Sequence, residues 1–409
     1  MEKYQVIPMA EDGFCKVINP NGGAVLGYSP ESGTKLLEVE EDGFIYAFKD
    51  LNGNGVLDPY EDWRLPAEER AKDLASKLSI EELVPLLVCN NLGDQSGPEL
   101  TEGAFRILDT GLRFGGDVRS NRAETVKKNN QVQAYIEAHD KYRIPYNAAS
   151  DPINTDAGGV EVMFSETEAS GWPGNLGLAA TFDPNYTLIH GQVSSQEYRA
   201  YGIHVALSPQ ADLGTEPRWQ RYAGTFGEGS KLAGDLAAAY VHGFQSTWDG
   251  VGADAEDLGW GKDSVVTMVK HFPGDSTAEA GREAHRMVGK HNVYPGYNLA
   301  EHISVFEKAL HIERIYRTNA ALLLRNSFLT GLFDNPYLET AVTKAALSNP
   351  EFKRLGFEAQ KASVVMLKNK GIVKPCNEKK TVYIPLRSVP DADAQKHGDG
   401  GAPIRGCFL

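Results

Sequence analysis

The chain has 409 residues, of which 41% are hydrophobic and 9% are aromatic, so it can bury a full core in one large domain or two. Asp and Glu outnumber Lys and Arg by 55 to 41, and the formal net charge of −14 argues against a nucleic-acid partner. The four cysteines are far apart and form no CxxC pair, which predicts free thiols rather than a zinc site or a redox dithiol: Cys15, Cys89, Cys376 and Cys407.

The sequence predicts neither a membrane span nor a signal peptide. No apolar run approaches the roughly 20 residues that a membrane-spanning helix needs, so we expect no membrane partner. The N-terminal sequence MEKYQVIPMAEDG lacks a basic segment followed by an apolar one. We therefore expect an extracytoplasmic protein if a leader was removed, and a cytoplasmic protein otherwise.

Residues 1–62 are predicted to form an N-terminal extension that packs on a larger body, because short β-type segments such as LLEVEEDGFIYAF alternate with Gly and Pro. The extension ends in DLNGNGVLDPYE, whose oxygen-bearing residues have the spacing of a twelve-residue calcium loop of the EF-hand kind. We expect a structural calcium ion, since a single loop preceded by a strand does not form a sensor pair. The expected ligands are the side-chain oxygens of Asp50, Asn52, Asn54 and Glu61, the carbonyl oxygen of Val56, and a water held by Asp58.

The alternative for this loop is a turn without metal, because Asn-Gly pairs favour turns. Only three carboxylates contribute to the expected ligand set, so calcium affinity should be modest and should suit a calcium-rich compartment better than the cytosol.

Helix signals follow the loop. Pro66 with Glu68 and Glu69 predicts a helix start. The segment SIEE at residues 79–82 predicts a capping box for a second helix, which Pro85 should kink or end.

From about residue 105 to 310, β-type and helical segments alternate. GIHVALSP and VVTMVKHF predict strands, and the second is apolar enough for a parallel strand that is buried on both faces. Apolar residues repeat every four positions after Ser230, which predicts an amphipathic helix. This alternation predicts an α/β fold with a parallel sheet, open or closed into a barrel.

Beyond this region we expect a further helix over residues 312–330, with Gly331 as its stop. SVVMLKN and TVYIPL predict strands within residues 339–389. The polar, Gly-rich residues 390–409 predict a disordered tail.

Polar side chains stand where three predicted strands end, which is where parallel α/β barrels carry functional groups. They are Asp151 after IPYNAAS, Arg218 in EPRWQR, and the pair Lys270 and His271. Such groups can bind the hydroxyls of a polyhydroxylated ligand. The alternative is a set of structural ion pairs at the rim of the sheet.

KHFPG in this chain is followed by GREAHRMVGKHNVYPG. These segments are similar to the hallmark of glycoside hydrolase family 3, of the β-glucosidase and β-xylosidase type. The other similar segments occur in order between about Asp58 and Lys370: EERAKDLASKLSIEEL, WPGNLGLAATFDPN, EPRWQR with TFGE, and TGLFDNPY. The resemblance implies a (β/α) barrel-type domain over residues 63–338 and the start of an α/β sandwich domain over residues 339–389, with no organic cofactor.

The resemblance also implies an activity, which is exo-acting hydrolysis of β-linked glucosides or xylosides with retention of configuration. Asp151, Arg218, Lys270 and His271 match the residues that hold the sugar hydroxyls in subsite −1 of the family. Gly-Asp-Ser at residues 274–276 departs from the longer glycine-rich loop of the family. The HGDT…DSH loop of the N-acetylglucosaminidase branch is not found in the sequence, which disfavours that branch.

The catalytic carboxylates of the family have no match in this sequence. The nucleophile is usually in an SDW segment between the regions matching EHISVFEKAL and HIERIYRTNAALLLR, but here Leu310 is followed directly by His311. We therefore expect an internal deletion near residue 310, an incomplete barrel and, beyond SVVMLKN, no acid/base residue. Asp275, Glu279 and Glu283 are expected to lie in a solvated loop rather than to substitute, so we assign no catalytic residue.

Three hypotheses remain open from the sequence. The chain is an incomplete member of the family, a non-catalytic sugar-binding relative, or a truncated gene product. An incomplete barrel leaves an open sheet edge, which a second copy in a homo-oligomer could cover.

Overall fold

The computed structural model describes residues 1–92, 99–116, 122–155, 168–284, 287–310 and 319–365. Six strands come first: β1 Glu2–Lys3, β2 Gln5–Met9, β3 Phe14–Ile18, β4 Val25–Tyr28, β5 Lys35–Glu41 and β6 Phe44–Asp50. They form two three-stranded sheets, in the orders β1-β6-β5 and β2-β3-β4.

These two sheets are tied to the rest of the molecule by polar contacts. The backbone N–H of Ser29 donates to Glu137 Oε2 at 2.6 Å, and the N–H of Gly27 donates to the carbonyl of Asp334 at 3.0 Å. Lys49, which is buried, donates from Nζ to the carbonyl of Gly27 at 3.0 Å. The N-terminal strands therefore lie against segments that are far away in the sequence.

Four further strands are β7 Phe114–Gly115, β8 Asn147–Ser150, β9 Ile203–Ala206 and β10 Val266–Thr267. They form a third sheet, which is wholly parallel and has the order β10-β9-β8-β7. Each strand lies beside the one before it in the chain, as strands do when they are added in turn to a (β/α) barrel. The α/β fold with a parallel sheet is confirmed; the described residues contain four strands of it and do not show a closed barrel.

Helices surround the parallel sheet. Their bounds are α1 Ala67–Lys77, α2 Ile80–Leu83, α3 Glu102–Asp109, α4 Arg122–His139, α5 Asn175–Ala179, α6 Pro184–Ala200, α7 Ser230–Gln245, α8 Leu299–Leu310, α9 Asn319–Leu329, α10 Thr340–Leu347 and α11 Pro350–Ala362. In the part of the chain that the structure describes, none of the helices is long and apolar enough to cross a membrane.

The largest core cluster lies between the sheet and the helices α6, α7 and α8. It contains Tyr198, Phe244 and Phe306, which are each at most 2% exposed. Helices α6 and α7 approach closely where two glycines meet, because a Cβ on Gly191 would lie 2.7 Å from the Cα of Gly243. A side chain at either position would push the two helices apart and loosen the support of β9.

Local signals in the sequence predicted the structure correctly at several places. The capping box is formed, with the backbone N–H of Glu82 donating to Ser79 Oγ and that of Ser79 donating to Glu82. Helix α2 ends before Pro85, where a 3₁₀ turn replaces it. Helix α7 begins at Ser230 as expected.

The segment VVTMVKHF differs from the prediction of a continuous strand. Only Val266 and Thr267 pair with β9, and pairing resumes as an isolated bridge between Gln210 and Lys270. The predicted helix over 312–330 is described from Asn319 to Leu329. The segment around residue 311, nearly all of the two C-terminal strand segments and the predicted tail lie outside the described residues.

Candidate functional site

The carboxyl ends of β8, β9 and β10 bring most of the singled-out polar residues together. Strand β8 ends at Ser150, so Asp151 is the first residue beyond the sheet. The chain after β9 runs alongside the chain after β10, since the N–H of Lys270 donates to the carbonyl of Pro209 at 3.0 Å and its carbonyl accepts from Ala211 at 2.7 Å. These bonds fix the backbone of Lys270 against the segment that follows β9.

Lys270 and Asp151 form a partly buried ion pair. The distance from Lys270 Nζ to Asp151 Oδ1 is 2.6 Å, and the side chains are 18% and 24% exposed. Both therefore combine a strong mutual contact with a face that is open to solvent. Such a pair can exchange contacts with ligand hydroxyls because ammonium donates and carboxylate accepts.

His271 forms the neighbouring pair with Asp212, which is fully buried. Nδ1 of His271 lies 3.0 Å from Asp212 Oδ2, and the peptide N–H of His271 also points to this carboxylate at 3.3 Å. The N–H of Asp275 donates to Asp212 Oδ1 at 2.7 Å. Asp212 thus holds the imidazole in one orientation and leaves Nε2 to face the opposite side.

The two arginines of EPRWQR lie in different surroundings. Arg218 is 69% exposed and pairs through two contacts with Glu216, at 2.8 Å from Nε and 2.6 Å from Nη2, which lowers the pKa of Glu216 to about 2. No contact joins Arg218 to Asp151, Lys270 or His271 among the described residues. Its role in sugar binding stays a prediction.

Arg221, by contrast, lies beside the site, with Nη1 at 3.3 Å from Nε2 of His271. The sequence reasoning missed both Arg221 and Asp212. A signal was present for each: Arg221 is three residues beyond Arg218 in the same motif, and Asp212 follows the strand that ends near Pro209 just as Asp151 follows β8.

The prediction of a solvated loop for three acidic residues is right for Glu279 and wrong for Glu283 and Asp275. The Glu279 side chain is 59% exposed, whereas Glu283 is 8% exposed and accepts a hydrogen bond of 2.9 Å from Trp219 Nε1. The physical reason is that the loop folds back on EPRWQR: Gly281, at φ +70°, comes so close to Arg218 that a Cβ would lie 2.8 Å from its carbonyl carbon.

Asp275 lies at the edge of the site, with Oδ2 at 3.7 Å from His271 Nδ1 and a side chain that is 21% exposed. Partial burial raises the pKa of this carboxyl group above its usual value, and the nearby charges of Asp212 and Glu283 raise it further. Its protonated form is therefore favoured more than that of an ordinary surface aspartate.

The predicted calcium ligands also come together. Asp50 is 1% exposed, and its Oδ2 accepts from the N–H of Gly55 at 3.1 Å. Glu61 accepts from the N–H of Leu51 at 2.7 Å and of Asp58 at 2.9 Å. The amides of the two asparagines donate to Asp58 Oδ2, at 2.6 Å from Asn52 and 2.8 Å from Asn54.

Carboxylates alone do not make this loop a metal centre. Within the described ranges, no three His, Cys, Asp or Glu side chains are placed so that they could hold one ion. A cation in the loop would depend on amide and carbonyl oxygens as well, as calcium sites of this kind do. The loop supplies these from Asn52, Asn54 and Val56.

A family model matches the region that contains these strand ends. Residues 110–309 match the model described as the glycosyl hydrolase family 3 N terminal domain. This region is a family 3 domain. The resemblance inferred from the motifs is therefore confirmed, and the matched range contains Asp151, Arg218, Lys270 and His271.

Curated relatives agree with this membership. The periplasmic β-glucosidase/β-xylosidase of Dickeya chrysanthemi is 37% identical over 292 residues, which are 68% of this chain and 43% of that protein. β-Glucosidase C of Emericella nidulans is 34% identical over 261 residues, with 62% and 40% covered. The chain thus spans less than half of the length of either family 3 relative.

Solved structures agree on the fold. A β-glucosidase from Erythrobacter marinus superposes with a TM-score of 0.56 at 18% identity, covering 77% of this chain and 52% of that chain. A mutant of an exo-1,3/1,4-β-glucanase from a Pseudoalteromonas species gives a TM-score of 0.52 at 19% identity, covering 78% and 63%. At these identities the likeness supports the family 3 fold alone.

Proposed function

We propose that this chain carries the sugar-binding part of a family 3 site for β-linked glucosides or xylosides. In the complete family form, exo-acting hydrolysis with retention of configuration would follow. The observation that supports this most directly is the pair Lys270–Asp151 at 2.6 Å beside the pair His271–Asp212 at 3.0 Å, at the ends of adjacent parallel strands.

The charge balance of these pairs favours a neutral ligand. Each cationic or imidazole group in them already has a carboxylate partner, so an added ion would have to displace one. Sugar hydroxyls both donate and accept, and can insert between such partners without adding a charge. Nε2 of His271 and Nη1 of Arg221, which are 3.3 Å apart, add further polar groups beside the two pairs.

The hydrolytic step needs more than this half of the site. Retaining hydrolysis uses two carboxylates about 5–5.5 Å apart, one as nucleophile and one as acid/base. Asp212 is committed to N–H groups of His271 and Asp275 and is fully buried, so it cannot attack a sugar. We therefore expect this chain to bind a β-glycoside without turnover, which is the behaviour of a non-catalytic relative or a truncated product.

The test combines binding and turnover on the purified chain. Calorimetric titration with glucose and xylose measures binding, and release of p-nitrophenol from aryl β-glucoside and β-xyloside measures hydrolysis. Asp151→Ala should abolish binding, whereas Asp254→Ala, at an exposed position, should not.

The outcomes separate the hypotheses. Binding that Asp151→Ala abolishes, with no turnover, supports the sugar-binding proposal. Turnover that Asp151→Ala abolishes shows that another carboxylate completes the site, and Asp275→Asn is the first variant to try. No binding in the wild-type chain refutes the proposal.

The open side of β10 supports the expected homo-oligomer. Among the described residues β10 pairs with β9 alone, and nearby Met268 and Phe272 are 41% and 66% exposed. We propose that a second copy covers this edge, to be checked by the molar mass in light scattering. We also propose an extracytoplasmic location, which the periplasmic relative from Dickeya chrysanthemi supports.

A further inference from the structure

The N-terminal loop contains a buried carboxylate oxygen without a partner. Asp50 ends strand β6 and is 1% exposed. Its Oδ2 accepts from the N–H of Gly55 across the loop, which directs the carboxylate into the loop, but its Oδ1 has no hydrogen-bond partner. A buried carboxylate is costly unless it is paired or coordinates a metal ion, so this oxygen requires an explanation.

In the described part of the chain, no cation forms an ion pair with this carboxylate. Among the described residues, neither Asp50 nor Glu61 takes part in an ion pair, although Glu61 is only 3% exposed. Two cations contact this loop without pairing with either carboxylate. Lys77 Nζ contacts Asp58 at 3.0 Å and Asp73 at 3.3 Å, and Arg143 donates from Nη1 to the carbonyl of Leu51. Two buried carboxylates therefore share one loop without an ion-pair partner among the described residues.

Further oxygens of the loop have spare accepting capacity. Asn52 Oδ1 accepts one hydrogen bond, from the N–H of Asn54 at 3.1 Å, and Asn54 Oδ1 accepts one, from the N–H of Val56 at 2.7 Å. Because an amide oxygen has two lone pairs, each retains one for a second contact. Carboxylate, amide and backbone oxygens are the ligands that Ca²⁺ prefers.

We propose that this loop binds one calcium ion through Asp50, Asn52, Asn54, Glu61 and the carbonyl of Val56, with Asp58 holding a water. The ion would neutralise the unpaired oxygen of Asp50 and join strand β6 to helix α1. The proposal does not depend on the sugar site.

The loop is placed so that an ion there would affect the stability of the whole chain. Its residue Tyr60 is fully buried in a core cluster with Leu74 of α1 and Phe328 of α9. The N–H of Tyr60 donates to Asp73 Oδ2 at 3.1 Å, which links the loop to α1 a second time. Binding at the loop should therefore raise the unfolding temperature as well as order the loop.

The experiment uses the full chain, freed of metal with EDTA and then dialysed. Calorimetric titration with CaCl₂ and Tb³⁺ luminescence, sensitised by Tyr60 and Trp63, measure binding. Thermal unfolding is followed in EDTA, in 10 mM Ca²⁺ and in 10 mM Mg²⁺ at equal ionic strength. We expect one calcium per chain and a rise of about 3 °C in Ca²⁺, as saturation near 100 times Kd would give.

Asp50→Asn is the deciding variant because its effect changes sign with calcium. In EDTA it should unfold at the same or a higher temperature than wild type, since it removes an unpaired buried charge. In Ca²⁺ it should unfold at a lower temperature, because it has lost the calcium-dependent rise. Asp42→Asn, at an exposed turn with φ +50° that asparagine also tolerates, removes the same charge at the opposite end of strand β6 and should keep the full rise.

Glu61→Gln provides a second readout, with a loss of Tb³⁺ luminescence expected. Absence of calcium heat, luminescence and stabilisation in the wild-type chain would overturn the proposal in favour of a metal-free turn. An equal rise in wild type and Asp50→Asn would overturn it too, because the ion would then bind elsewhere. A rise in Mg²⁺ as large as in Ca²⁺ would contradict the assigned metal.

Discussion

The strand-end site and the N-terminal loop both collect buried acidic groups, but they neutralise them differently. At the strand ends, Asp151 faces Lys270 and Asp212 faces His271 and backbone N–H groups. In the loop, Asp50 has one N–H contact and an oxygen without a partner. Each carboxylate at the strand ends therefore has a lysine or histidine partner, whereas Asp50 in the loop has no ion-pair partner among the described residues.

This difference indicates what each region can bind. A set of paired charges with solvent-facing edges suits a neutral, hydroxyl-rich ligand, because the ligand can share contacts without disturbing the charge balance. A loop with unpaired carboxylates suits a cation, because the cation supplies what the protein leaves out. The two regions therefore differ in ligand charge, although aspartates are central to both.

The largest effect on stability is expected from Asp212→Ala, which removes the carboxylate that binds His271 and Asp275 at the strand ends. It leaves the buried N–H groups of His271 and Asp275 without an acceptor and should lower the free energy of unfolding by about 3–5 kcal/mol. Urea denaturation followed by tryptophan fluorescence measures this. Asp212→Asn keeps one acceptor oxygen and should cost less; a loss of under about 0.5 kcal/mol in the alanine variant would contradict the central position of Asp212.

A third buried carboxylate, Glu197, sharpens the comparison because neutral hydrogen-bond donors contact it and the charge of Lys353 acts on it with a smaller effect. It is 1% exposed and accepts from the N–H of Ser170 at 2.8 Å, from Ser170 Oγ at 2.9 Å and from Asn154 Nδ2 at 3.3 Å. Burial outweighs these donors and raises the pKa of Glu197 to about 7. Its contribution to stability is therefore fully present below the unfolded pKa near 4.5 and is lost as pH rises through 7.

Glu197→Gln should remove this pH dependence. Between about pH 5 and pH 8 the wild type should lose up to about 3 kcal/mol more unfolding free energy than the variant, from a difference of about 2.5 pKa units. Urea unfolding at several pH values measures the slope, and Glu228→Gln at an exposed position is the matched control. Equal slopes in wild type and Glu197→Gln would show that Glu197 is ionised throughout.

The next prediction concerns the two arginines of EPRWQR. Arg221→Met should weaken sugar binding by about tenfold, or about 1.4 kcal/mol, since it removes a charged donor beside His271. Arg218→Met should change the dissociation constant by less than about twofold, because Arg218 is exposed and held by Glu216. Calorimetric titration of both variants with the same sugars measures the two constants. The reverse result would favour the role that the sequence resemblance assigns to Arg218.

The polar residues at the strand ends could be predicted because they depend on a local sequence pattern. An apolar run followed by Asp151, or by Lys270 and His271, is visible in the sequence. Rules for parallel sheets then place such residues on one edge. The capping box at Ser79 was also predictable, since it depends on residues only three positions apart.

The surroundings of Glu283 and Asp212 could not be predicted from the sequence, because they depend on contacts between residues that are far apart in the chain. Glu283 looks like a loop residue until it meets Trp219, which is 64 positions away. The sequence does not show which of Arg218 and Arg221 lies beside His271. In the structure a local turn pairs Arg218 with Glu216, and Arg221 lies next to His271. Asp212 was missed because it comes three residues after the predicted strand GIHVALSP, whereas Asp151 directly follows its strand. The backbone N–H groups that converge on Asp212 come from the loop after the next strand.

The smallest effect is expected from Ser79→Ala, which removes a neutral and exposed hydrogen bond and so provides a baseline for the charged sites. Ser79 Oγ accepts from the N–H of Glu82 at 3.3 Å, and its loss should cost about 0.5–1 kcal/mol in urea unfolding. Ser76→Ala is the control, because its hydroxyl donates to the carbonyl of Asp73 at 2.7 Å on the neighbouring helix but caps no helix N-terminus. If Ser79→Ala lowered the free energy of unfolding as much as Asp212→Ala, an exposed neutral cap would be as important to the fold as a buried charged group. Burial and charge would then not distinguish the strand-end site.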